Sequence, residues 1–337
     1  MIDTGRLERL IEQEFQFLQQ ERARWSLLHG DQNMELVAHA LRVLLHVGKV
    51  KESLAEYHAV VDIQHADGGW GSESNDSESA AWVTAFIGLM LIRANIISND
   101  AKVRASVDRA IQYFLNTQKS NGRWTDPSWG DLDTTSHPVS FFNVVLGIGE
   151  EGWKKQVEGP WKKGLDFILK GQSEDGGWYD REFHPSGVET TAHLGQDAVV
   201  ASLVLPPPWL NSVEAPCLKA IEWILRHQEP AGSYDEENVD HTMDCTRSLL
   251  ILSRVLGEQE RCRPAIEKAL DWIVKVKCER GWPDFPGGEV NLERTCDGLD
   301  VMLKAIAWES PDRLEVVRLW GYVPGIPKFQ PKQAIKI

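Results

Sequence analysis

One short signature returns along the chain at a nearly fixed interval and constrains the fold more than anything else in it. Gln64-His-Ala-Asp-Gly68-Gly-Trp70, Gln118-Lys-Ser-Asn-Gly122-Arg-Trp124 and Gln172-Ser-Glu-Asp-Gly176-Gly-Trp178 share the form Gln-x-x-x-Gly-x-Trp, and Gln228-Glu-Pro-Ala-Gly232-Ser-Tyr234 repeats it with Tyr. The glutamines are 54, 54 and 56 residues apart. Such a period marks one supersecondary unit, used again and again, that buries its apolar face only against its neighbours.

Each copy ends an amphipathic stretch, such as Val107 to Thr117 or Leu218 to His227, and its glycine stops that helix with a left-handed turn. After a short polar loop comes a more apolar helix that opens on an acid: Glu78 to Ala94, Asp133 to Leu146, Glu189 to Leu205, Asp240 to Leu256 and Glu293 to Trp308. A degraded fifth copy ends in Gly281-Trp282, and an N-terminal pair, about residues 6–20 and 33–47, lacks the turn but completes six pairs. A helix apolar almost all round is packed on both sides, whereas one with a charged face meets solvent. Six stacked hairpins close on themselves, because an open stack exposes its apolar ends. The expected fold is all-α: a single (α/α)6 barrel over residues 1–310 with inner and outer helix rings, then a proline-rich tail, 311–337, packed on the barrel, in which Trp320 and Tyr322 strap or plug one end.

Charge excludes some partners. Fifty acidic against 36 basic residues give a net charge of −14, which repels a nucleic-acid backbone or an anionic membrane. The polar N-terminus has no signal-like stretch and no apolar run reaches the roughly 20 residues of a transmembrane span, so the expectation is a cytoplasmic protein without a transmembrane segment. Cys217, Cys245, Cys262, Cys278 and Cys296 form no CxxC pair and read as reduced, mostly buried thiols.

The repeat resembles the QW motif of squalene-hopene cyclases, oxidosqualene cyclases and related diterpene cyclases, within the terpenoid cyclase and protein prenyltransferase superfamily. The resemblance covers residues 1–310 and implies the same barrel, with each Gln bonded to backbone of the neighbouring helix and each Trp stacked beside it. Glutamine offers both a donor and an acceptor to free helix ends, so Trp70, Trp124 and Trp178 read as structural.

In such a barrel the N-termini of the inner helices gather at one mouth. Glu78-Ser-Ala-Ala-Trp82, Asp133-Thr-Thr-Ser-His137, Glu189-Thr-Thr-Ala-His193, Asp240-His-Thr-Met-Asp244 and Glu293-Arg-Thr-Cys-Asp297 align, placing Trp82, His137, His193, Asp244 and Asp297 one turn further in. Capping and the helix dipole also favour acids there, each by about 0.3–2 kcal/mol, so the ordinary reading of any one acid is a cap.

One repeat adds more. Trp129-Gly-Asp131-Leu-Asp133-Thr134-Thr135 resembles the Asp-x-Asp-Asp-Thr-Ala signature of class II cyclases, and more closely its Asp-x-Asp-Thr-Thr variant. The resemblance implies a proton-initiated terpenoid cyclase acting on a linear isoprenoid or prenyl diphosphate, with Asp133 as general acid, Asp131 supporting it, and His137, His193 or His241 orienting the proton. A neighbouring carboxylate and burial both raise a carboxyl pKa, which such a donor uses, while the helix N-terminus lowers it. Trp82 and Trp129 are placed to stabilise a cation, and Thr134, His193, His241 and Asp244 complete the expected substrate site. Thr134 stands where the commoner signature has its third Asp. Class II cyclases build their cavity between two barrels and this chain has length for one, so the barrel interior holds the substrate, or a homodimer or second cyclase-domain partner completes the site, or activity has been lost.

No metal site and no cofactor are expected, apart from Mg²⁺ if the substrate is a diphosphate. Three other readings stay open. The barrel binds an isoprenoid or a partner without converting it; or Asp240-His241-Thr242, with Cys245 nearby, is part of a zinc prenyltransferase site whose Asp-x-Cys partner is missing; or His137, His193, Asp244 and Asp297 hold iron, manganese or zinc.

Overall fold

The computed structural model describes residues 2–180, 187–202 and 207–309. The tail, with Trp320 and Tyr322, lies outside the described residues. Twelve α-helices carry the fold: α1 (Thr4–Gln20), α2 (Met34–His46), α3 (Leu54–Asp62), α4 (Ala81–Ser98), α5 (Ala101–Thr117), α6 (Asp131–Ile148), α7 (Glu151–Lys170), α8 (Val188–Ser202), α9 (Pro207–His227), α10 (Val239–Leu256), α11 (Gln259–Val276) and α12 (Leu292–Glu309). Even-numbered helices form the inner ring, α2 against α4, then α6, α8, α10 and α12, which returns to α2. The expected (α/α)6 barrel is the observed one.

The hairpins join differently from the sequence repeat. The tight turns run from an inner helix to the next outer one, as from Ser98 to Ala101 or Leu256 to Gln259, so α5 packs on α4, α7 on α6, α9 on α8, α11 on α10 and α1 on α12. The signature loops are the longer return connections at the opposite end, and their hydrogen bonds set the spacing of the outer ring.

Gln64 donates to the Gly68 carbonyl within its own turn and to the Ser106 carbonyl of α5; Gln118 does the same to Gly122 and Pro160 of α7, Gln172 to Gly176 and Pro216 of α9, and Gln228 to Gly232 and Ala265 of α11. The glycine is obligatory: Gly122 sits at φ +95°, and a Cβ there would collide with the Lys163 carbonyl. Trp70, Trp124, Trp178 and Trp282 are fully buried and donate their indole N–H to the carbonyls of Val60, Phe114, Ile168 and Ile273 near the end of the preceding outer helix.

Two joints are ionic. Between α11 and α1, buried Glu14 accepts from Gly281 N–H and pairs with Lys277 at 2.7 Å; between α1 and α3, Glu56 accepts from Ser26 at 2.7 Å and pairs with Arg22. The N-terminal pair also has a remnant of the turn, since Trp25 donates its indole N–H to Leu18.

The inner helices are not apolar all round. Arg42, His46, Arg93, Asp133, Asp197, Asp244, Arg247, Asp297, Asp300 and Lys304 stand on them, nine of them buried and Arg42 nearly so. Helix α4 is long and apolar enough to cross a membrane by length and composition, but 67% of it is buried inside the barrel. Among the five cysteines, all free, only Cys278 is not buried.

Candidate active site

A threonine fixes the register of the mouth. The backbone N–H of Trp70, Trp124, Trp178, Tyr234 and Trp282 donates to Thr84, Thr135, Thr191, Thr242 and Thr295 in the inner helix that follows. The position two residues before that threonine is Asp133, Glu189, Asp240 and Glu293 in α6, α8, α10 and α12, but in α4 it is Trp82. The sequence alignment on Glu78 was therefore one turn out: Glu78 is exposed in the loop before α4, Trp82 stands in the place of Asp133, and Phe86 stands in the place of His137.

One turn inward, seven side chains form a continuous belt around the cavity. Phe86 meets His137 edge-on at 4.7 Å, and the His137 and His193 rings are 5.8 Å apart. His193 Nε2 lies 3.1 Å from Asp244 Oδ2; Arg247 links Asp244 to Asp297; His39 Nδ1 lies 3.4 Å from Asp297 Oδ1, and its ring is 6.0 Å from Phe86. His39, Phe86 and Arg247 were missed in the sequence. Asp297 and Arg294 were legible as helix-start residues, but only closure of the ring brings Arg42 of α2 to within 2.6 Å of Asp297.

Asp133 lies beneath this belt, 2% exposed. His193 Nδ1 is 3.2 Å from its Oδ1 and His137 Nε2 is 3.4 Å from its Oδ2. Its N–H donates at 2.7 Å to Asp180, a cap lent by the third repeat to the helix of the second; Gly130 leaves room for it, since a Cβ there would strike the Asp180 carboxyl. Burial alone raises the Asp133 carboxyl, but the charge and hydrogen bonds of His137 and His193 outweigh it and hold the group well below the ordinary carboxylate range. Burial lowers His193, yet Asp244 and Asp133 outweigh that and raise it well above an ordinary histidine, so it is an imidazolium between two carboxylates. Asp244 is raised by burial and lowered further by Arg247 and His193, and the net direction is down.

Other expected residues fall elsewhere. Asp131 pairs with Arg123 at 2.5 Å, is 36% exposed, and makes no described contact with Asp133, so it does not crowd the acid. His241 bonds Asp235 at 2.6 Å and lies 3.3 Å from Glu189; burial pulls its pKa down, but Glu189, with Asp240 and Asp244, raises it to about 9, and it makes no described contact with Asp133. Thr134 is fully buried with no hydrogen-bond partner for its hydroxyl and does not reach the cavity. Trp82 and Trp129 do meet, edge to face at 5.8 Å, and Trp82 packs on Phe86 at 5.9 Å, forming an aromatic wall behind His137. Of that wall only Phe86 lines the cavity.

The cavity holds about 140 Å³, smaller than the roughly 300–1,000 Å³ of ordinary ligand pockets, and takes the reacting end of a molecule sooner than all of a long chain. Its α4–α6–α8 side carries the apolar Phe86, Leu89, Met90, Val144 and Val200, with His137, His193 and Asp197 and also Arg93, Ser140, Glu189 and Gln196. The α10–α12–α2 side is ionic, with Arg247, Arg294, Asp297, Lys304 and Arg42 on it. Both imidazoles face the open space; the Asp133 carboxylate stands behind them. Asp133, His137 and His193 have ligand atoms within 4.8 Å of one another, as do Glu189, His193 and Asp244, so each set could hold an ion of nitrogen and oxygen preference, though the same atoms satisfy one another by hydrogen bonds and ion pairs. Asp297 belongs instead with His39, Arg42 and Arg294. The Cys245 thiol beside His241 is in the core.

No protein-family model matches the chain. Among curated proteins it is similar to lanosterol synthase erg7A of Aspergillus fumigatus, 23% identical over 143 residues, covering 41% of this chain and 18% of that protein. It is likewise similar to lanosterol synthase of Candida albicans, 26% identical over 147 residues, covering 41% and 19%. The chain thus spans about a fifth of the curated relatives it matches. In fold it is similar to the type II terpene cyclase MstE from Scytonema, TM-score 0.64 and 15% identity over 91% of this chain and 100% of that one. A sugar epimerase from a ruminal bacterium superposes with TM-score 0.70 and 12% identity over 89% and 98%, and a family 88 glycosyl hydrolase from Bacteroides vulgatus with 0.67 and 14% over 90% and 99%. Terpenoid cyclases and carbohydrate enzymes share this barrel, while the sequence likeness falls on the lanosterol synthases. The resemblance to the terpenoid cyclase superfamily is carried in sequence by the lanosterol synthases and in fold by an (α/α)6 barrel like that of type II terpene cyclases.

Proposed function

We propose that the chain is a proton-initiated, class II terpenoid cyclase acting on the end of a linear isoprenoid or prenyl diphosphate, with Asp133 as general acid. The observation that carries the reading is the seat of Asp133: both carboxylate oxygens are held by imidazoles of adjacent inner helices, His137 and His193. An alkene is a very weak base and takes a proton only from a strong acid. A carboxylate stabilised as an anion by two imidazoles has a strong conjugate acid, and the proton given up leaves its charge where it is already compensated. Asp244 and Arg247 hold His193 in place for this. The substrate cation then meets the face of Phe86, worth about 0.5–2 kcal/mol when desolvated, and Trp82 and Trp129 pack behind that ring. The small cavity takes the reacting terminus, and the remaining chain extends through the mouth, where a partner or second domain would cover it.

The same ion pairing favours a second reading, a barrel that binds an isoprenoid and does not convert it, because a carboxyl held ionised is seldom loaded. Incubation with farnesyl diphosphate, geranylgeranyl diphosphate and squalene, with and without Mg²⁺, separates the two when wild type and Asp133→Asn are compared by mass spectrometry. A cyclic product made by wild type and lost in the variant supports the cyclase. Binding of these compounds without any product, unaffected by the variant, supports the second reading.

A further inference from the structure

Proton-initiated cyclisation ends as it begins, with a proton: the last cation must lose one to a base. Asp197 is the buried carboxyl that the preceding reading leaves unused. It lies on α8 one turn beyond His193, 4% exposed, and it lines the cavity where Asp133 does not. Its backbone is fixed, for its carbonyl accepts from Asn143 at 3.0 Å, and Asn143 is itself held by the indole N–H of Trp161 at 2.7 Å. The Ser140 hydroxyl of α6 hydrogen-bonds its carboxylate. No Lys or Arg is paired with it among the described residues, in contrast to Asp244, Asp297 and Asp300. The cavity lining contributed by α4, α6 and α8 includes the apolar Met90, Val144 and Val200, against which a hydrocarbon could lie, beside the polar Ser140, Gln196 and Arg93.

We infer that Asp197 is a catalytic residue of the same cavity, the general base that takes the terminating proton from the cyclised cation. The inference rests on the cyclase reading and adds to it the residue that closes the cycle. In the closing step a C–H bond next to the cationic carbon breaks, its electron pair becomes the new C=C bond, and the proton goes to an Asp197 oxygen. Asp197 then releases it to solvent while Asp133 is reloaded, so one proton enters and one leaves and the substrate is isomerised without an added reactant. The chemistry fits the group: burial raises its pKa to about 6, opposed by His137 and His193, which makes it a stronger base than an exposed carboxylate yet leaves it ionised at neutral pH. Asp133 and Asp197 thus divide the work of acid and base by environment.

Asp197→Asn keeps the size of the side chain and its bond to Ser140. In the cyclase assay it is expected to lower kcat about tenfold and to shift products from the cyclic alkene toward water-captured alcohols, with deuterium from D₂O still entering at the initiating carbon; Asp197→Glu should restore part of the alkene. An unchanged product ratio in Asp197→Asn overturns the inference and leaves Asp133 as acid intact. A second measurement is independent of turnover. N,N-dimethylfarnesylamine, whose ammonium stands in for the cation, should bind wild type about tenfold more tightly than Asp197→Asn in calorimetry at pH 7. Equal affinities would overturn the role of Asp197, whereas a difference in a protein that cyclises nothing would sink the cyclase reading and retain Asp197 as a cation partner.

Discussion

The two sides of the barrel interior are built from the same repeat and end in opposite chemistry. On the α4–α6–α8 side, Phe86 and aliphatic side chains line the cavity with Asp197, His137 and His193, and Arg93 of α4 is the one guanidinium of these three helices in that lining. On the α10–α12–α2 side, guanidinium and ammonium groups are tied to carboxylates: Arg247 to Asp244, Asp297 and Asp300, Arg42 to Asp297, and Lys304 to Asp300 at 2.5 Å. The first arrangement leaves proton-active groups available; the second consumes every charge in an internal network. A buried ionic network contributes little net stability, but removing one member strands the others. The difference teaches that one repeat can supply either hydrogen-bonded carboxyl groups or a cross-linked ionic network, according to the residues that the neighbouring helices offer.

Four predictions bear on that contrast. The largest effect is expected at the proposed acid: Asp133→Asn should lower cyclase turnover by about 10²- to 10⁴-fold, the usual worth of a general acid, in a direct product assay. On the ionic side the expected effect is on stability. Asp300→Ala leaves Lys304, Arg42 and His46 facing one another and should cost about 3–5 kcal/mol in urea unfolding; a loss below about 1 kcal/mol would mean that the network is not a unit.

The third prediction concerns acid. His46 is held neutral in the fold, its pKa pushed down to about 3 by burial, with Arg93 and Lys304 adding to that against Asp300. The unfolded chain therefore binds the extra proton first, so the stability this residue contributes is present above about pH 6.5 and is lost as pH falls toward 3. His46→Leu, which cannot bind that proton, should flatten the fall in melting temperature between those limits; an unchanged slope would exclude His46 as its source. The smallest effect belongs to the aromatic wall: Phe86→Leu keeps the volume but loses the ring, and should lower kcat/KM only about 2- to 30-fold, matching roughly 0.5–2 kcal/mol.

The architecture was legible because its signals are local and repeated. Helix periodicity, the Gly turn and the buried Trp belong to single repeats, and the five Thr contacts show that each repeat carries its own register. The site was legible only where a residue and its partner share a helix, as with Asp133 and His137 four residues apart. Phe86 was missed because Glu78, a loop acid, imitates the acid that opens the other inner helices and so put Trp82 opposite His137. Asp131 and His241 have the right residue type at the right spacing, yet they find Arg123 and Glu189 before they reach Asp133, and nothing in one strand of sequence ranks those partners.

What the sequence by itself determined, then, is the repeating unit, its inner and outer faces, and the mouth at which the inner helices begin, since these depend on propensity, capping and amphipathicity over a few turns. Only the tertiary structure decided which side chains share the cavity: ring closure joins α12 to α2, brings Arg42 to Asp297, and puts His193 between Asp133 and Asp244. The physical reason is range. Secondary structure is set by neighbours within a few residues, whereas the ionisation of a buried carboxyl depends also on charges that the closed ring brings within a few ångströms of it, such as His193, which is 60 residues from Asp133 and 51 from Asp244.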